Sequence, residues 1–232
     1  MSKTVLLFDV DGTLVTTGGA GGRAIRGALE AFGEPAVSGF SYAGMTDRAI
    51  VRRHLAEGRQ RPAEEVREDE IDDVLERYLD LLSREVASTP QEDYVVHDGM
   101  LEALTAAEAR PDTAIGLGTG NVERGARIKL GRVGLADRFA FGGFGCDAED
   151  RAALIARGAE RGAERLGVPR SACRVVVIGD TPRDVAAALA IGAECLAVAT
   201  GRHDRETLRA SGATYAFDSL AAPEALLALL GG

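Results

Sequence analysis

The sequence predicts an α/β fold, a doubly wound parallel-sheet core with a small all-helical domain inserted after the first strand. The first observation is a set of short apolar runs of the length typical of buried strands, at residues 5–8, 114–117, 175–178 and 195–198. The second is that the last three runs alternate with helical patterns, as in a parallel sheet. The third is that residues 17–87 show helical periodicity without a strand signal of comparable strength.

These observations divide the chain into two predicted domains. The core is expected to contain residues 1–16 and 88–232, and the inserted helical domain residues 17–87. The clearest inserted helix spans residues 71–86, with apolar residues at helical spacing and Asp, Glu and Arg on the other face. Further predicted elements are two inserted helices near 25–32 and 47–57, core helices at 151–166, 185–189, around Leu208 and at 226–230, and weaker strands at 139–141 and 215–217.

The amino-acid composition restricts the kinds of binding partner that we expect. The net charge is -9 and the pI about 5.0, which argues against nucleic acid or an anionic membrane surface as a partner. The apolar runs are too short to span a membrane, and the N-terminus lacks the pattern of a secretory signal, so we expect a cytoplasmic protein. Its three cysteines are expected to be reduced thiols. A monomer and a homodimer both remain open.

Polar loops follow three of the predicted strands. They cover residues 9–13, 119–121 and 180–184. Because ligands bind beyond the carboxyl ends of the strands in such sheets, we expect these loops to converge on one site.

Two carboxylates stand out in the first loop. Asp9 and Asp11 directly follow the first strand, and alternation along an extended chain lets both point the same way. Gly12 permits a sharp turn and a close approach of the backbone to a ligand. Two carboxylates this close would each raise the other's pKa unless a cation lay nearby. The pattern therefore predicts a divalent metal and carboxylate chemistry. The alternative is an ordinary acidic turn at Asp11-Gly12.

The three loops together resemble the haloacid dehalogenase (HAD) superfamily, whose core is Rossmann-like. The matching motifs are residues 9–13 (Asp-Val-Asp-Gly-Thr), 119–121 (Thr-Gly-Asn) and 179–184 (Gly-Asp-Thr-Pro-Arg-Asp). The layout is similar to the phosphoglycolate-phosphatase-like branch, which carries a helical C1-type cap after the first strand. The resemblance extends along the chain and is weak across the cap.

The resemblance implies a role for each matching residue. Asp9 would attack phosphorus and form an aspartyl-phosphate, and Asp11 would protonate the leaving group and then activate water. Thr119 would donate its hydroxyl to the phosphoryl group. Mg²⁺ would be held by Asp9, Asp180 and the backbone carbonyl of Asp11, an oxygen set that suits this ion. Substrate contacts are expected at Gly12, Gly120 and Asn121.

The basic residue of the third motif departs from the family pattern. A Lys is usual before the last motif, and the stretch 145–151 has none. We assign the role to Arg151, which would stabilise the phosphoryl charge, or would instead pair with neighbouring acids. Lys129 is the rival, although its place in a helix is typical of a solvated surface residue.

Other residues of the motifs have structural alternatives. Asp184 completes a capping box with Thr181 and Pro182, so we expect it to support the metal ligands rather than bind the metal directly. Thr119 and Asn121 are each also candidates for the N-cap of the following helix.

The cap is expected to select the substrate. Candidate contacts are Arg23 and Arg48, although Thr46 or Asp47 capping a helix with Arg48 in solvent is an equal interpretation. Met45 stands where related sequences often have Lys or Arg, which weakens the case for a doubly anionic, phosphoglycolate-like substrate unless Arg48 or Arg23 supplies the missing charge. No Lys lies between residues 4 and 128, which argues against a phosphonate hydrolase that uses a cap lysine.

These observations predict a hydrolase with phosphatase activity, namely a Mg²⁺-dependent enzyme that acts on a small phosphorylated metabolite through an aspartyl-phosphate. A sugar phosphomutase of the same superfamily and a non-catalytic module that binds a phosphorylated ligand remain the alternatives.

Overall fold

The computed structural model describes residues 3–34 and 37–231. Its main sheet has six parallel strands in the order β5-β4-β1-β6-β7-β8, which confirms the predicted α/β core. Those strands are β1 (Lys3–Phe8), β4 (Thr113–Gly118), β5 (Gly142–Gly143), β6 (Cys173–Gly179), β7 (Glu194–Val198) and β8 (Tyr215–Phe217), and a separate two-stranded sheet contains β2 (Val15–Thr17) and β3 (Tyr94–Val96).

Nine α-helices surround and extend this sheet within the described residues. They are α1 (Ala20–Ala31), α2 (Asp47–Gly58), α3 (Glu68–Ser88), α4 (Met100–Glu108), α5 (Glu123–Gly131), α6 (Arg151–Arg165), α7 (Pro182–Ala190), α8 (Arg205–Ala210) and α9 (Pro223–Leu230). None of the helices in these ranges is long and apolar enough to cross a membrane.

Strand β1 lies at the centre of the core and is buried on both faces. Leu6 and Phe8 pack in the cluster that includes residues of α4, α5 and α9, whereas Val5 and Leu7 pack against α6, α7 and α8. Alternating side chains therefore bury both faces, which is why the strand appears in the sequence as a continuous apolar run. Phe8 is level with Leu117 and Ile178, so the loops after β1, β4 and β6 leave the sheet at one edge.

Helices α1, α2 and α3 form a second hydrophobic cluster on the cap side, with Tyr78 and Leu82 among its fully buried members. The antiparallel ribbon of β2 and β3, which pairs Val15 with Val96, joins this side to the core and was missed in the sequence because each strand has three residues. The division at residues 16/17 and 87/88 stays a prediction.

Two elements of the core differ from expectation. The strand predicted at residues 139–141 is wrong, and the pairing falls instead on β5. Phe139 and Phe141 pack in clusters on opposite faces of the sheet, whereas residues two apart in a strand share a face. Helix α4 was not predicted; it follows Gly99, whose φ of 80° ends the preceding loop.

Candidate active site

The loops after β1, β4 and β6 line one side of a cavity of about 910 Å³ between the core and the cap helices. Asp9, Asp11 and Asp180 contribute the core wall, as the strand register predicts. Tyr42 and Tyr78 are among the residues of the cap wall. The cavity is therefore bounded by acids at the sheet edge and by aromatic side chains opposite.

Asp9 is buried at this edge, with 5% of its surface exposed. Its backbone N–H donates to the Ile178 carbonyl at 2.9 Å, which anchors the residue between β1 and β6. Arg151 Nη2 lies 3.0 Å from Asp9 Oδ2. Burial raises the pKa of Asp9, and the guanidinium and the Thr119 hydroxyl only partly oppose that rise. The carboxylate therefore benefits from a further positive charge.

Three buried acids form a cluster in which a bound cation could supply that positive charge. Asp9, Asp180 and Asp184 each offer an oxygen within 4.8 Å of the others, and all three are buried. Burial raises the pKa of Asp180, and the charges of Asp184 and Asp9 raise it further. Thr13 Oγ1 donates to Asp180 Oδ1 at 3.0 Å and orients the carboxyl. An oxygen-only set of this kind suits Mg²⁺ better than Zn²⁺.

Both carboxylate oxygens of Asp184 accept hydrogen bonds from other residues of the chain. Oδ2 accepts the backbone N–H of Thr181 at 3.0 Å and its hydroxyl at 2.6 Å. Oδ1 accepts Nε of Arg151 at 2.9 Å and Nη2 at 2.5 Å. Thr181 and Asp184 form the expected capping box of α7, with Pro182 at its first position. These contacts favour a supporting role for Asp184, in which it aims Arg151 at Asp9.

Arg151 is the first residue of α6 and is 9% exposed. It bridges Asp9 and Asp184, and its Nη1 donates to the Gly44 carbonyl of the cap at 3.3 Å. Arg151 therefore pairs with neighbouring acids, and its role in stabilising the phosphoryl charge stays a prediction.

Lys129 corrects the sequence interpretation of a solvated surface residue. It is 3% exposed, and Nζ donates to Asp11 Oδ2 at 2.6 Å and to Asn121 Oδ1 at 2.6 Å. Burial disfavours its charge, but the carboxylates of Asp11 and Asp47 outweigh burial, and its pKa is raised. A signal was present in the sequence, because Lys3 and Lys129 are the only lysines in an Arg-rich chain.

Asn121 connects Lys129 to the second motif. Its Nδ2 donates to Asp11 Oδ2 at 2.8 Å and to Thr119 Oγ1 at 2.9 Å. Neither Thr119 nor Asn121 is the N-cap of α5, so that alternative is wrong; the N-cap is Val122, whose N–H donates to Asp47 Oδ2 at 2.9 Å. The Asp47 carboxylate of the cap thus accepts the hydrogen bond of the Val122 N–H at the start of α5. The side chains of Thr119 and Asn121 are not used for capping, and they lie beside the acids.

Two motif glycines lie where backbone and side chains approach closely. Gly12 has a φ of 80°, and a Cβ there would be 2.5 Å from Asp180 Oδ2. Gly120 touches the cap: a Cβ on it would collide with the Met45 carbonyl, and its own carbonyl accepts the Asp47 N–H at 2.8 Å. Both glycines line the cavity, and Gly120 also makes a cap–core contact.

The two cap arginines expected to contact substrate are occupied by other partners. Arg48 does not line the cavity, since its guanidinium pairs with Glu68 and Asp72 of α3, so the structure contradicts that assignment. Thr46 caps α2, as the alternative interpretation proposed. Arg23 lines the cavity, but its Nε lies 2.6 Å from Glu85 Oε2.

Two other arginines that the sequence did not single out line the cavity. Arg26 is three residues beyond Arg23 on α1, and Arg202 follows β7. Arg202 Nη1 contacts Ser41 Oγ at 3.4 Å. Within residues 3–34 and 37–231, neither guanidinium has a carboxylate within 4 Å. The spacing of Arg23 and Arg26, one turn apart on a helix, was the available signal.

Comparisons with known proteins bear on the family and the fold. A family model described as haloacid dehalogenase-like hydrolase matches residues 3–192. Crystal structures with the same fold include a predicted phosphatase from Clostridium acetobutylicum (19% identity, 100% of both chains, TM-score 0.70). They also include a β-phosphoglucomutase from Clostridium difficile (19%, 100% of this chain and 98% of that one, TM-score 0.71) and a predicted phosphoglycolate phosphatase from Haemophilus somnus (18%, 95% of both, TM-score 0.64). No curated protein matches the sequence.

Proposed function

This chain belongs to the haloacid dehalogenase-like hydrolase family, and we propose that it is a Mg²⁺-dependent phosphatase of a small phosphorylated metabolite. The observation that carries the proposal is the placement of Asp9. Its buried carboxylate faces the cavity 3.0 Å from the Arg151 guanidinium, with Asp180 beside it. A nucleophile for a phosphomonoester needs this combination of exposure to the cavity and nearby positive charge.

Asp9 is proposed to act as the nucleophile. One of its carboxylate oxygens attacks phosphorus, and the bond between phosphorus and the substrate oxygen breaks as the aspartyl-phosphate forms. Water then attacks the same phosphorus, the bond to Asp9 breaks, and inorganic phosphate leaves.

Asp11 is proposed to move the protons. It protonates the leaving oxygen in the first step and accepts a proton from the attacking water in the second. Its Oδ2 is held by Lys129 at 2.6 Å and by Asn121 at 2.8 Å. No hydrogen bond to Oδ1 exists within the described ranges of the chain, and 44% of the side chain is exposed. Oδ1 is therefore the oxygen available for proton transfer.

Positive charge and hydroxyl donors are proposed to stabilise the phosphoryl oxygens. Arg151 reaches Asp9 from one side, and Lys129 reaches Asp11 from the other. The Thr119 hydroxyl lowers the pKa of Asp9 and so favours the ionised carboxylate that is proposed to attack. Such preorganised groups act strongly where water is excluded.

The residues at the sheet edge fit Mg²⁺. Asp9 and Asp180 would hold the ion with the Asp11 carbonyl, while Asp184 is occupied by Thr181 and Arg151. Because Gly12 has no side chain, the space beside Asp180 Oδ2 that a Cβ would fill stays open. When bound, the ion supplies charge that offsets the clustered carboxylates and the phosphoryl group.

The cavity supports a small anionic substrate. Its volume of about 910 Å³ is within the range of small-molecule sites, and Arg26 and Arg202 add positive charge. We expect the enzyme to act in the cytoplasm, where its free cysteines would remain reduced.

The test is phosphate release from para-nitrophenyl phosphate and a panel of phosphorylated metabolites, with and without Mg²⁺. We expect Mg²⁺-dependent release that Asp9→Asn abolishes and Asp137→Asn, an exposed acid outside the cavity, leaves intact. Absence of release from every compound would contradict the proposal. Conversion of a sugar phosphate to its isomer would then indicate a mutase, and binding without either reaction a non-catalytic module.

A further inference from the structure

The hydroxyl of Tyr42, in the segment between α1 and α2, is bound by a buried histidine. Tyr42 lines the cavity and is partly exposed, and its Oη lies 2.6 Å from Nε2 of His54. His54 belongs to α2 and is fully buried, and its Nδ1 accepts the backbone N–H of Val37 at 3.0 Å. Burial lowers the pKa of His54, so the imidazole is neutral at pH 7.

These contacts fix the direction of two protons. A neutral imidazole carries one N–H, and because Nδ1 accepts from Val37, that proton is on Nε2. Nε2 therefore donates to the Tyr42 oxygen, which is the acceptor of this bond. The phenol has one proton of its own, and no acceptor for it lies within hydrogen-bond distance in residues 3–34 and 37–231. The Tyr42 O–H is thus a donor left free for a group that enters the cavity.

The chain on either side of Tyr42 is anchored to the core. Nη1 of Arg202, after β7, contacts Ser41 Oγ at 3.4 Å. Nη1 of Arg183, on α7, donates to the Ala43 carbonyl at 3.0 Å. The Tyr42 ring is held separately by the imidazole, edge to face with the ring centroids 5.6 Å apart. The hydroxyl is therefore preorganised, and a ligand that accepts from it has no loop to order first.

A positive charge acts on the same hydroxyl. Arg26 is exposed on α1 and lines the cavity. Burial raises the pKa of Tyr42, and the charge of Arg26 opposes that rise. In the part of the chain that the structure describes, no carboxylate lies within 4 Å of the Arg26 guanidinium. This wall of the cavity therefore presents a free donor together with a cation that no acid neutralises.

A donor and a cation on one wall favour an anionic oxygen group. A substrate hydroxyl can accept from Tyr42, but it leaves the Arg26 charge without a counter-charge. A carboxylate or a phosphate accepts the phenol proton and also pairs with the guanidinium, in bonds stronger than those between neutral groups. Asp9 and Asp180 line the core wall, where the phosphoryl group is proposed to bind. The anionic group therefore belongs to the other end of the substrate.

We propose that Tyr42 donates a hydrogen bond to a second anionic group of the substrate, with Arg26 as its counter-charge. The substrate is then a phosphomonoester whose leaving alcohol carries a carboxylate or a further phosphate, two groups with the same anionic-oxygen chemistry. Arg26, rather than Arg23 or Arg48, supplies the charge that Met45 lacks, because the other two arginines pair with acids of α3. The inference rests on the proposed function for the identity of the phosphoryl end.

The test is calorimetric binding to the Asp9→Asn protein in the presence of Mg²⁺, which requires no turnover. Four ligands share a three-carbon chain: propyl phosphate, glycerol 1-phosphate, 3-phosphonooxypropanoate and propane-1,3-diyl bisphosphate. The four-carbon counterparts of propyl phosphate and of the two charged ligands vary the reach. At least one charged ligand is expected to bind about tenfold or more tightly than the alkyl phosphate of the same length, and more tightly than glycerol 1-phosphate. The ligand with the larger ratio distinguishes a carboxylate from a second phosphate.

Two variants in the same background assign the effect to this wall. Tyr42→Phe removes the donor and Arg26→Gln removes the charge, and each is expected to lower the ratio of charged to alkyl affinity by about fivefold or more. A general loss of affinity cancels in this ratio, because both ligands bind the same protein. Tyr215→Phe on β8 and Arg127→Gln on α5 are the matched controls; both residues lie outside the cavity, so the ratio should stay unchanged.

Three results overturn the inference. The first is equal affinity of the charged and alkyl ligands at both chain lengths. The second is a ratio that Tyr42→Phe or Arg26→Gln leaves unchanged; since Arg26 is exposed, its variant keeps this test available even if Tyr42→Phe does not fold. The third is binding of glycerol 1-phosphate as tight as that of the charged ligands, because a neutral hydroxyl would then suffice.

The outcome for the proposed function is read separately, from phosphate release by the protein with Asp9 intact. Release together with a ratio that is independent of Tyr42 rejects only the second anionic site. A ratio that depends on Tyr42 and Arg26 without any release retains that site and rejects the phosphatase.

Discussion

Lys129 Nζ lies 2.6 Å from Asp11 Oδ2, and this buried contact joins α5 to the loop that follows β1. The same ammonium donates to Asn121, which also binds Asp11. One oxygen of Asp11 is therefore held from two directions, and the carboxyl cannot rotate freely. A cation that the sequence places on an ordinary helix becomes, in the folded chain, a neighbour of the proposed acid and base.

Replacing Lys129 by methionine is expected to lower kcat by about 100-fold, the effect typical of losing one preorganised donor or charge. The change removes positive charge from the phosphoryl site and releases Asp11 Oδ2 from its strongest partner. The measurement is steady-state hydrolysis of para-nitrophenyl phosphate.

The control is Arg127→Met on the same helix, where the cation is exposed and pairs with Glu123. Its kcat is expected to match that of the wild type. A Lys129→Met enzyme with kcat within twofold of the wild type would remove Lys129 from the proposed mechanism.

Replacing Gly12 by alanine is expected to abolish measurable phosphatase activity. The new Cβ would lie 2.5 Å from Asp180 Oδ2, and φ is 80° in a region that disfavours side chains. Asp180 must move, so the affinity for Mg²⁺ should fall as well, which calorimetric titration of the ion can measure.

Gly192→Ala is the control for backbone strain alone. Gly192 has a φ of 68°, and nothing lies within 4 Å of the position of its Cβ. We expect it to lose about 1–2 kcal/mol of stability while keeping Mg²⁺ binding and activity. Equal Mg²⁺ affinity in Gly12→Ala and Gly192→Ala would show that the crowding of Asp180 has no effect.

Replacing Asp47 by asparagine is expected to stabilise the protein increasingly as pH rises from about 4 to about 6. Burial raises the pKa of Asp47 from an ordinary 3.8 to about 6, although Lys129 and the Val122 N–H oppose the shift. The folded state thus binds this proton more tightly than the unfolded state. Its stabilising contribution is complete below the unfolded pKa and is lost as pH rises through the folded pKa.

The difference in free energy of unfolding between Asp47→Asn and the wild type should therefore grow by about 3 kcal/mol across this interval. Asparagine keeps an oxygen that can accept from Val122. Urea unfolding from pH 4 to 7 in the presence of EDTA measures the difference. A difference that stays constant with pH is incompatible with a raised pKa at Asp47.

Two tyrosine-to-phenylalanine changes are expected to differ in their effect on stability. Tyr94→Phe removes a buried hydrogen bond to the Lys129 carbonyl and should lower the free energy of unfolding by about 1 kcal/mol. Tyr78→Phe removes a hydroxyl without a partner in the described chain and should leave stability unchanged or raise it. Urea unfolding without ligand compares them, and a loss of stability in Tyr78→Phe equal to that in Tyr94→Phe would mean that the Tyr78 hydroxyl has a protein partner.

The sequence by itself determined the sheet core and the position of the acids at its edge. Buried parallel strands are continuous apolar runs, so β1, β4, β6 and β7 are recognisable locally. Asp9 follows β1 directly, and Asp180 follows β6, so strand register alone brings them together. The capping box of Thr181 and Asp184 is equally local, since its residues are three apart.

Only the tertiary structure decided which cations and hydroxyls face the cavity. Helical periodicity shows which residues share a face but not what that face meets, so Arg48 was placed toward substrate and Lys129 toward solvent. The packing of α2 on α3 turns Arg48 to Glu68, and the approach of α5 to the first loop buries Lys129 against Asp11. These contacts join residues far apart in the chain, and the docking of cap on core, rather than local sequence, determines them.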